Sequence, residues 1–431
     1  MHQRFPWIGV FGLVASLSGV HTALGQTIET LVTIQDPDLA DVIDFTPSTL
    51  FDPRIDGDFF SFQAIGPGDD TYIRGDITTG QLEPVLSIGD TVPGTDEPIA
   101  GTIAGQVEGP RFVGFGITNP LVGERVSGYF GSTGPGEAFQ AFSEQGGGLS
   151  VGIIFSVDGN QAVFGVNDLD AGTTRIISAD LTTPFTQTEL ITSATTVLGL
   201  DGEPLAQTAI SLGSADAGFV VFNAIGEFSS EAIVLRTPEG ALEQIATTGF
   251  LPPGDSGPEF VSLSVPVTAD GDVAFLGLEF GESDDSLFVS IDGTLIEIAD
   301  ADTTLPGQVG DLVGIGGMSN PAFTPGLAID DGRVVFTAFD DENEFLVLWD
   351  EINGLQVLLQ TGDLIDGETV LDILVDPRGL SGDRIVFSAA TGTFEDPNIG
   401  VFLVTIPEPA SALVLSILCT TVLTRRRYTA R

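Results

Sequence analysis

The groups able to do chemistry in this chain are almost all carboxylates. Asp168-Leu-Asp170-Ala-Gly172 sets two of them two residues apart ahead of a glycine, which is part of the oxygen-ligand spacing of a calcium loop. The third in-sequence ligand and the distal Glu of such a loop are missing. Asp36-Pro-Asp38, with Asp41 and Asp44 behind it, is incomplete in the same way. Asp340-Asp341-Glu342 and Glu282-Ser-Asp284-Asp285 occupy corresponding loops of a repeat described below. A solvated polar loop is the competing reading of each. Calcium is the cofactor such loops could take, with Asp168 and Asp170 as the candidate ligands.

The missing residue types narrow the chemistry further. Both histidines, His2 and His21, lie in the first 25 residues, the single Cys419 lies near the other end, and there is no lysine. The stretch between therefore lacks a Ser-His-Asp or Cys-His nucleophile, a His or Cys zinc site and a Schiff-base lysine. An enzyme built from it would depend on paired carboxylates, as in glycoside hydrolysis, or on a bound calcium. No Gly-rich phosphate loop or dinucleotide fingerprint is present.

Residues 26–409 hold all 61 acidic residues but only nine of the 14 basic ones, a surplus of 52 negative charges. Phosphate recognition needs basic side chains, so unaided nucleic-acid binding is excluded. Docking on anionic lipid heads is disfavoured for the same reason. Self-repulsion of this size strains a compact state, and salt or divalent cations should relieve it. Disorder is not the outcome expected of this acidity, because the chain is 42% hydrophobic with 30 Phe and can bury a large core.

That core has a repeating design. DGDFFSF ends at Phe62, GPRFVGF at Phe115, DGNQAVF at Phe164, DAGFVVF at Phe222, TADGDVAF at Phe275, DDGRVVF at Phe336 and SGDRIVF at Phe387. Seven copies at a period near 50 residues fall in the range of propeller blades. The clearest unit, about 259–306, reads as four apolar alternations separated by TADGD, GESDD and DG, with a TTLPG connector. Period-two alternation bounded by Gly, Asp and Pro is the signal of strands and hairpins, and Asp-Gly supplies the positive φ of tight turns. The expected fold is all-β: a seven-bladed β-propeller of four-stranded antiparallel blades. The recurrent Phe should pack between neighbouring blades. An open β-solenoid is the architectural rival, although its repeats are usually shorter.

The seventh unit lacks a last strand. TLVTIQDPD at 30–38 matches TLIEIADAD at 294–302 in pattern and can supply it. Pairing of Thr30–Gln35 with Gly400–Ile406 would close the ring and remove two exposed sheet edges.

Both ends of the chain read as targeting segments. Residues 1–25 combine a short basic start, an apolar run from Trp7 to Val20, and small residues Ala23 and Gly25 ahead of Gln26, the pattern of a signal peptide. At the other end Pro407-Glu408-Pro409 precedes an apolar run, Ala410–Thr424, and the arginines Arg425, Arg426 and Arg427. The run is shorter than a straight membrane span of about 20 residues, and the arginines would hold the end on the cytoplasmic side. In order and position these three parts resemble the PEP-CTERM sorting tail of Gram-negative bacteria. The resemblance implies an exosortase-type membrane peptidase as a processing partner, acting near Pro407-Glu408-Pro409. The repeats, TGDLIDGETV at 361–370 and GLSGDRIVFSA at 379–389 above all, are similar to the tandem NxxGxxAF repeats of exported bacterial surface proteins. The second and third units depart from that pattern, and the resemblance carries no catalytic residue.

The expected organisation is a signal peptide at 1–25, a propeller at 26–406 and a sorting tail with a short transmembrane segment at 407–431. The expected role is that of a non-enzymatic, exported binding or structural module of the envelope, surface or extracellular polysaccharide matrix. Its partners would be polysaccharide or another surface protein, with the membrane touched only through the tail. The alternative is a carboxylate-based enzyme on polysaccharide, with two acids facing each other across the propeller mouth.

Overall fold

In the computed structural model the described residues are 26–406, apart from 92–97, 119–125, 133–137, 146–148, 169–172, 183–185, 199–201, 228–229, 250–258, 283 and 317–325. Their strands form seven antiparallel sheets. The unit around Phe275 shows how the sequence builds one. Its strands are Phe260–Ala269, Asp272–Glu279, Ser286–Ile291 and Thr294–Ala299, each paired with the next. The turns between first and second strands need left-handed backbone, and they have it: Gly57, Gly109, Gly159, Ala217, Asp270, Asp331 and Gly382 all have φ between 49 and 58°.

The first strand of each sheet lies innermost. In blade order these are Thr49–Asp56, Ile99–Glu108, Leu149–Asp158, Gln207–Asp216, Phe260–Ala269, Leu327–Asp330 and Glu368–Ser381. Each touches the inner strand of the next blade, and the last touches the first, so the seven sheets form a ring. Six blades are built from chain-consecutive strands. In the sixth the inner strand is split, with Gly314–Ile315 and Leu327–Asp330 pairing the same neighbour, Arg333–Phe339.

The seventh blade is composite. Thr27–Thr33 pairs antiparallel with Asp396–Thr405, which pairs with Arg384–Thr393 and then Glu368–Ser381. The ring is therefore closed by joining the two ends of the chain, as the missing fourth strand predicts. The register begins earlier than expected, at Thr27↔Thr405, and ends at Thr33↔Gly400. Ile34 adds one N–H to the Ile399 carbonyl before Gln35 turns away.

Six of the seven recurrent Phe have the structural role expected of them; the side chain of Phe115 lies outside what is described. Phe62, Phe164, Phe222, Phe275, Phe336 and Phe387 are all fully buried. Phe275 packs with Val221, Ile233 and Leu235 of the preceding blade, and Phe336 with Val267, Ala274 and Leu287 of its own predecessor. Phe62 does the same across the closing joint, against Val386, Val401 and Leu403. Each blade thus presents its second strand to the blade before it. Ring closure buries the last such face, at about 25 cal/mol per Å² of apolar surface.

Candidate functional site: the channel mouth and the closing joint

The repeated acid before each first turn does more than shape the turn. The Asp56 carboxylate accepts the N–H of Gly109 in the next blade, and Glu108 accepts that of Gly159. Asp216 accepts the Asp270 N–H at 3.0 Å, Asp330 accepts that of Gly382, and the Ser381 hydroxyl accepts that of Gly57 at 3.2 Å. One sequence position thus supplies an oxygen that latches five of the seven blades to the turn of the next. The fifth blade has Ala269 there and no oxygen to offer.

A second rung lies two residues deeper. Gln106 donates to the Val157 carbonyl at 3.4 Å and accepts its N–H at 2.9 Å. Ser156 accepts the Ala215 N–H at 2.9 Å, and Ser214 the Thr268 N–H at 2.7 Å. Arginines staple the same edges. Arg111 donates to Gly159 O at 2.8 Å, Arg384 to Gly57 O at 2.9 Å, and Arg333 to Gly382 O.

Around this mouth of the channel is a cavity of about 150 Å³ lined by Asp56, Glu108, Asp216, Asp330, Arg378 and Ser381. Arg378 comes from the seventh blade and crosses to the fourth, where it pairs with Asp216 at 2.9 Å and donates to the Ala215 carbonyl. A guanidinium therefore sits among the mouth's carboxylates. Burial pushes the Asp330 carboxyl upward, with Asp216 and Asp331 adding to that and Gly382 N–H and Arg333 opposing it. A shallower groove of about 720 Å³ on the first blade is lined by Asp38, Asp41, Phe59, Arg74, Gln81 and Glu83, with Arg74 paired to Glu83 at 2.5 Å.

A group of buried charges lies at the joint between blades 7 and 1. The tripeptide Asp-Pro-Arg occurs at 52–54 and again at 376–378, both times on an inner strand where the pairing register shifts. Arg54 donates through Nη2 to Asp52 at 2.9 Å, and its Nε lies 3.1 Å from Asp376. The Tyr72 hydroxyl donates to Asp52 Oδ2 at 2.9 Å. All are buried: Asp52 and Arg54 are each 6% exposed, Asp376 1% and Tyr72 0%. Burial raises the Asp376 carboxyl well above the usual carboxylate range, Arg54 opposes this, and Asp52 adds to it. Burial also holds the Tyr72 phenol neutral. For Arg54 burial would lower the affinity for its proton, but Asp376 and Asp52 more than reverse that.

The candidate calcium loops are built as follows. Asp36 caps a single helical turn, Pro37–Ala40, by accepting the Asp38 N–H at 2.9 Å, while Leu39 and Ile43 of that segment enter the core. Asp340 accepts the N–H groups of Glu342 and Asn343 at 2.7 and 2.6 Å, so it shapes its own turn. Asp285 is raised by burial and by Asp284. Asp168 ends the second strand of blade 3, opposite Leu149 and Thr173. Asp170 lies outside the described residues, as do Ala23, Gly25, Pro407, Glu408, Pro409 and Arg425, Arg426 and Arg427. Among the described residues no group of three or more His, Cys, Asp or Glu is placed to hold a metal ion. Among them, too, no helix is long and apolar enough to cross a membrane.

Two carboxylates that share one arginine, Asp52 and Asp376, lie between blades rather than across the opening. Sequence reasoning passed over them; the repeated Asp-Pro-Arg was the visible signal.

A β-propeller is what this ring and its closure define. Among solved structures the chain is similar to the β-propeller domain of the Trilobed protease from Pyrococcus furiosus, described as having an open velcro topology. That likeness has 12% identity over 82% of this chain and 95% of that one, with a TM-score of 0.52. It is also similar to an oligogalacturonate lyase in complex with manganese, at 14% identity, 88% and 93% coverage and a TM-score of 0.48. No family profile and no curated protein sequence matches it. Likeness at such identity bears on the fold alone.

Proposed function

We propose that the chain is exported, retained at the envelope or in the extracellular polysaccharide by its C-terminal tail, and acts there as a non-enzymatic binding or structural propeller. One observation carries this reading: the polar groups that converge on the channel are spent on holding blades together. Asp56, Glu108, Asp216 and Asp330 latch neighbouring turns, and Arg378 bridges the mouth. A substrate would have to displace these contacts. The first-blade groove, with Phe59 beside Asp38 and Asp41, offers an open surface for a sugar chain.

The exosortase-type peptidase remains the proposed processing partner at Pro407-Glu408-Pro409, and calcium the proposed ion. A second reading, a carboxylate enzyme acting on polysaccharide, is favoured only by the pair Asp52 and Asp376, and their burial leaves no room for a substrate. A glycan array read with and without calcium, with reducing-sugar release measured on every bound glycan, tests both. Binding without release supports the module. Release that is lost in Asp52→Asn and Asp376→Asn would establish the enzyme instead.

A further inference from the structure

We propose that the joint between blades 7 and 1 is a proton-dependent clasp, in which Asp52 and Asp376 share one proton beside Arg54 and loss of that proton loosens the ring at its closing seam. The geometry sets the charge balance. Asp52 Oδ1 and Asp376 Oδ1 both approach Arg54 Nε, at 3.2 and 3.1 Å. One guanidinium can neutralise one carboxylate. A second carboxylate at 1% exposure would be an uncompensated buried charge, which proteins avoid by taking up a proton.

The hydrogen bonds say where that proton resides. Tyr72 donates to Asp52 and Arg54 donates twice to it, which suits an ionised Asp52. Asp376 then carries the proton and can donate it to Asp52. The other charged groups packed around this strand are committed elsewhere. Glu344 of blade 6 accepts the Ile373 N–H, Asp330 accepts that of Gly382, and the Arg378 side chain reaches Asp216. The Arg378 N–H reaches Asp376 at 3.4 Å, but among the described residues no cation besides Arg54 acts on it, so no charge replaces the proton when it leaves.

The sign follows from proton counting. The folded ring holds a proton that the unfolded chain releases at ordinary carboxylate pKa, so this contribution is fully present in acid and falls as pH rises through the raised Asp376 pKa. The same joint holds Val32 of the closing strand, packed with Leu50 and Phe62 of blade 1 and Val401 of blade 7.

The experiment compares thermal unfolding of the full chain with Asp376→Asn and Asp52→Asn between pH 5 and pH 9, with backbone hydrogen exchange alongside. Asn keeps the shape and a donor without the charge. The Tm of the native chain should fall further over this range than that of either variant, because only the native pair has a proton to lose. Protection from exchange, taken relative to the base-catalysed rate of an open amide at each pH, should fall in Thr49–Asp56 and Glu368–Ser381 over the same range and stay constant in Gln207–Asp216. Should one variant fail to fold, the other carries the comparison. Parallel pH curves in native and variant chains would overturn the clasp, and so would a loss of protection spread evenly over all blades.

Discussion

Blades 5 and 6 meet through hydrocarbon, and blades 7 and 1 meet through charge. At the first joint Val267, Leu276 and Leu287 face Leu327, Phe336 and Val347 in one apolar cluster, and Ala269 stands where other blades carry a latching oxygen. At the second, a similar apolar layer around Phe62 is joined by Asp52, Arg54, Tyr72 and Asp376 in the wall of the ring. The same strand geometry has been filled with two chemistries. An apolar joint is strong and indifferent to pH. A buried ionic joint gains little net stability over a hydrophobic one, but it is sensitive to the loss of any single partner. Since the last joint of a ring is the one that decides whether the ring is closed, placing the sensitive chemistry there makes closure tunable.

The largest effect should come from breaking the charge balance. Arg54→Met leaves two carboxylates facing each other and should cost about 3–5 kcal/mol near neutral pH. Part of this should return in acid as the second carboxyl is protonated, which urea unfolding at pH 5 and pH 8 would show. Leu327→Ala at the apolar joint should cost about 2–5 kcal/mol, and the loss should be the same at both pH values. If Leu327→Ala proved pH-dependent, or Arg54→Met did not, the contrast between the joints would fail.

A smaller effect is expected at the mouth. Asp216→Ala removes both the latch to Asp270 N–H and the partner of Arg378, and should cost about 1–3 kcal/mol. Ala269→Asp would sharpen the comparison further, since it offers the fifth blade the missing oxygen; melting at or above the native Tm is the expected result. Smallest is the general response to salt. Tm should rise with sodium chloride up to about 0.5 M as self-repulsion is screened, because the Debye length is already near 10 Å at 0.1 M. A Tm independent of salt would contradict the view that the surplus of 52 negative charges strains the fold.

Much of the architecture was legible because the ring imposes it seven times. Each blade needs a left-handed turn followed by an apolar strand whose Phe enters the preceding blade, so the pattern ending at Phe275 recurs at Phe336 and Phe387. The closing strand was legible for a related reason: a blade without an outer strand leaves an edge, and TLVTI at 30–34 had the pattern to cover it. What stayed hidden depends on which distant residues meet. Asp56, Asp216 and Asp330 looked like turn chemistry, and their backbone neighbours do turn, but the carboxylates reach into the next blade about 50 residues on. The two Asp-Pro-Arg tripeptides are identical in sequence yet diverge in role: Arg54 stays at the seam with Asp376, whereas Arg378 crosses the channel to Asp216. Local sequence carries no information on that divergence, because it is set by blade position in a closed ring.

Closure by the two chain ends is the claim on which the joint, the clasp and the blade count all stand. Thr27 and Thr405 are direct antiparallel partners at its outer end. Opposed residues in such a pair have Cβ atoms about 4.5–5.5 Å apart, near the reach of a disulfide. The deciding measurement is thiol titration and melting of Thr27→Cys/Thr405→Cys in a chain whose only native cysteine, Cys419, is replaced by serine. The account predicts that mild oxidation consumes both thiols within one chain and raises the Tm by an amount that reduction removes. Two thiols that stay free in the folded, oxidised protein would mean that the ends do not meet, and that the ring is not closed this way.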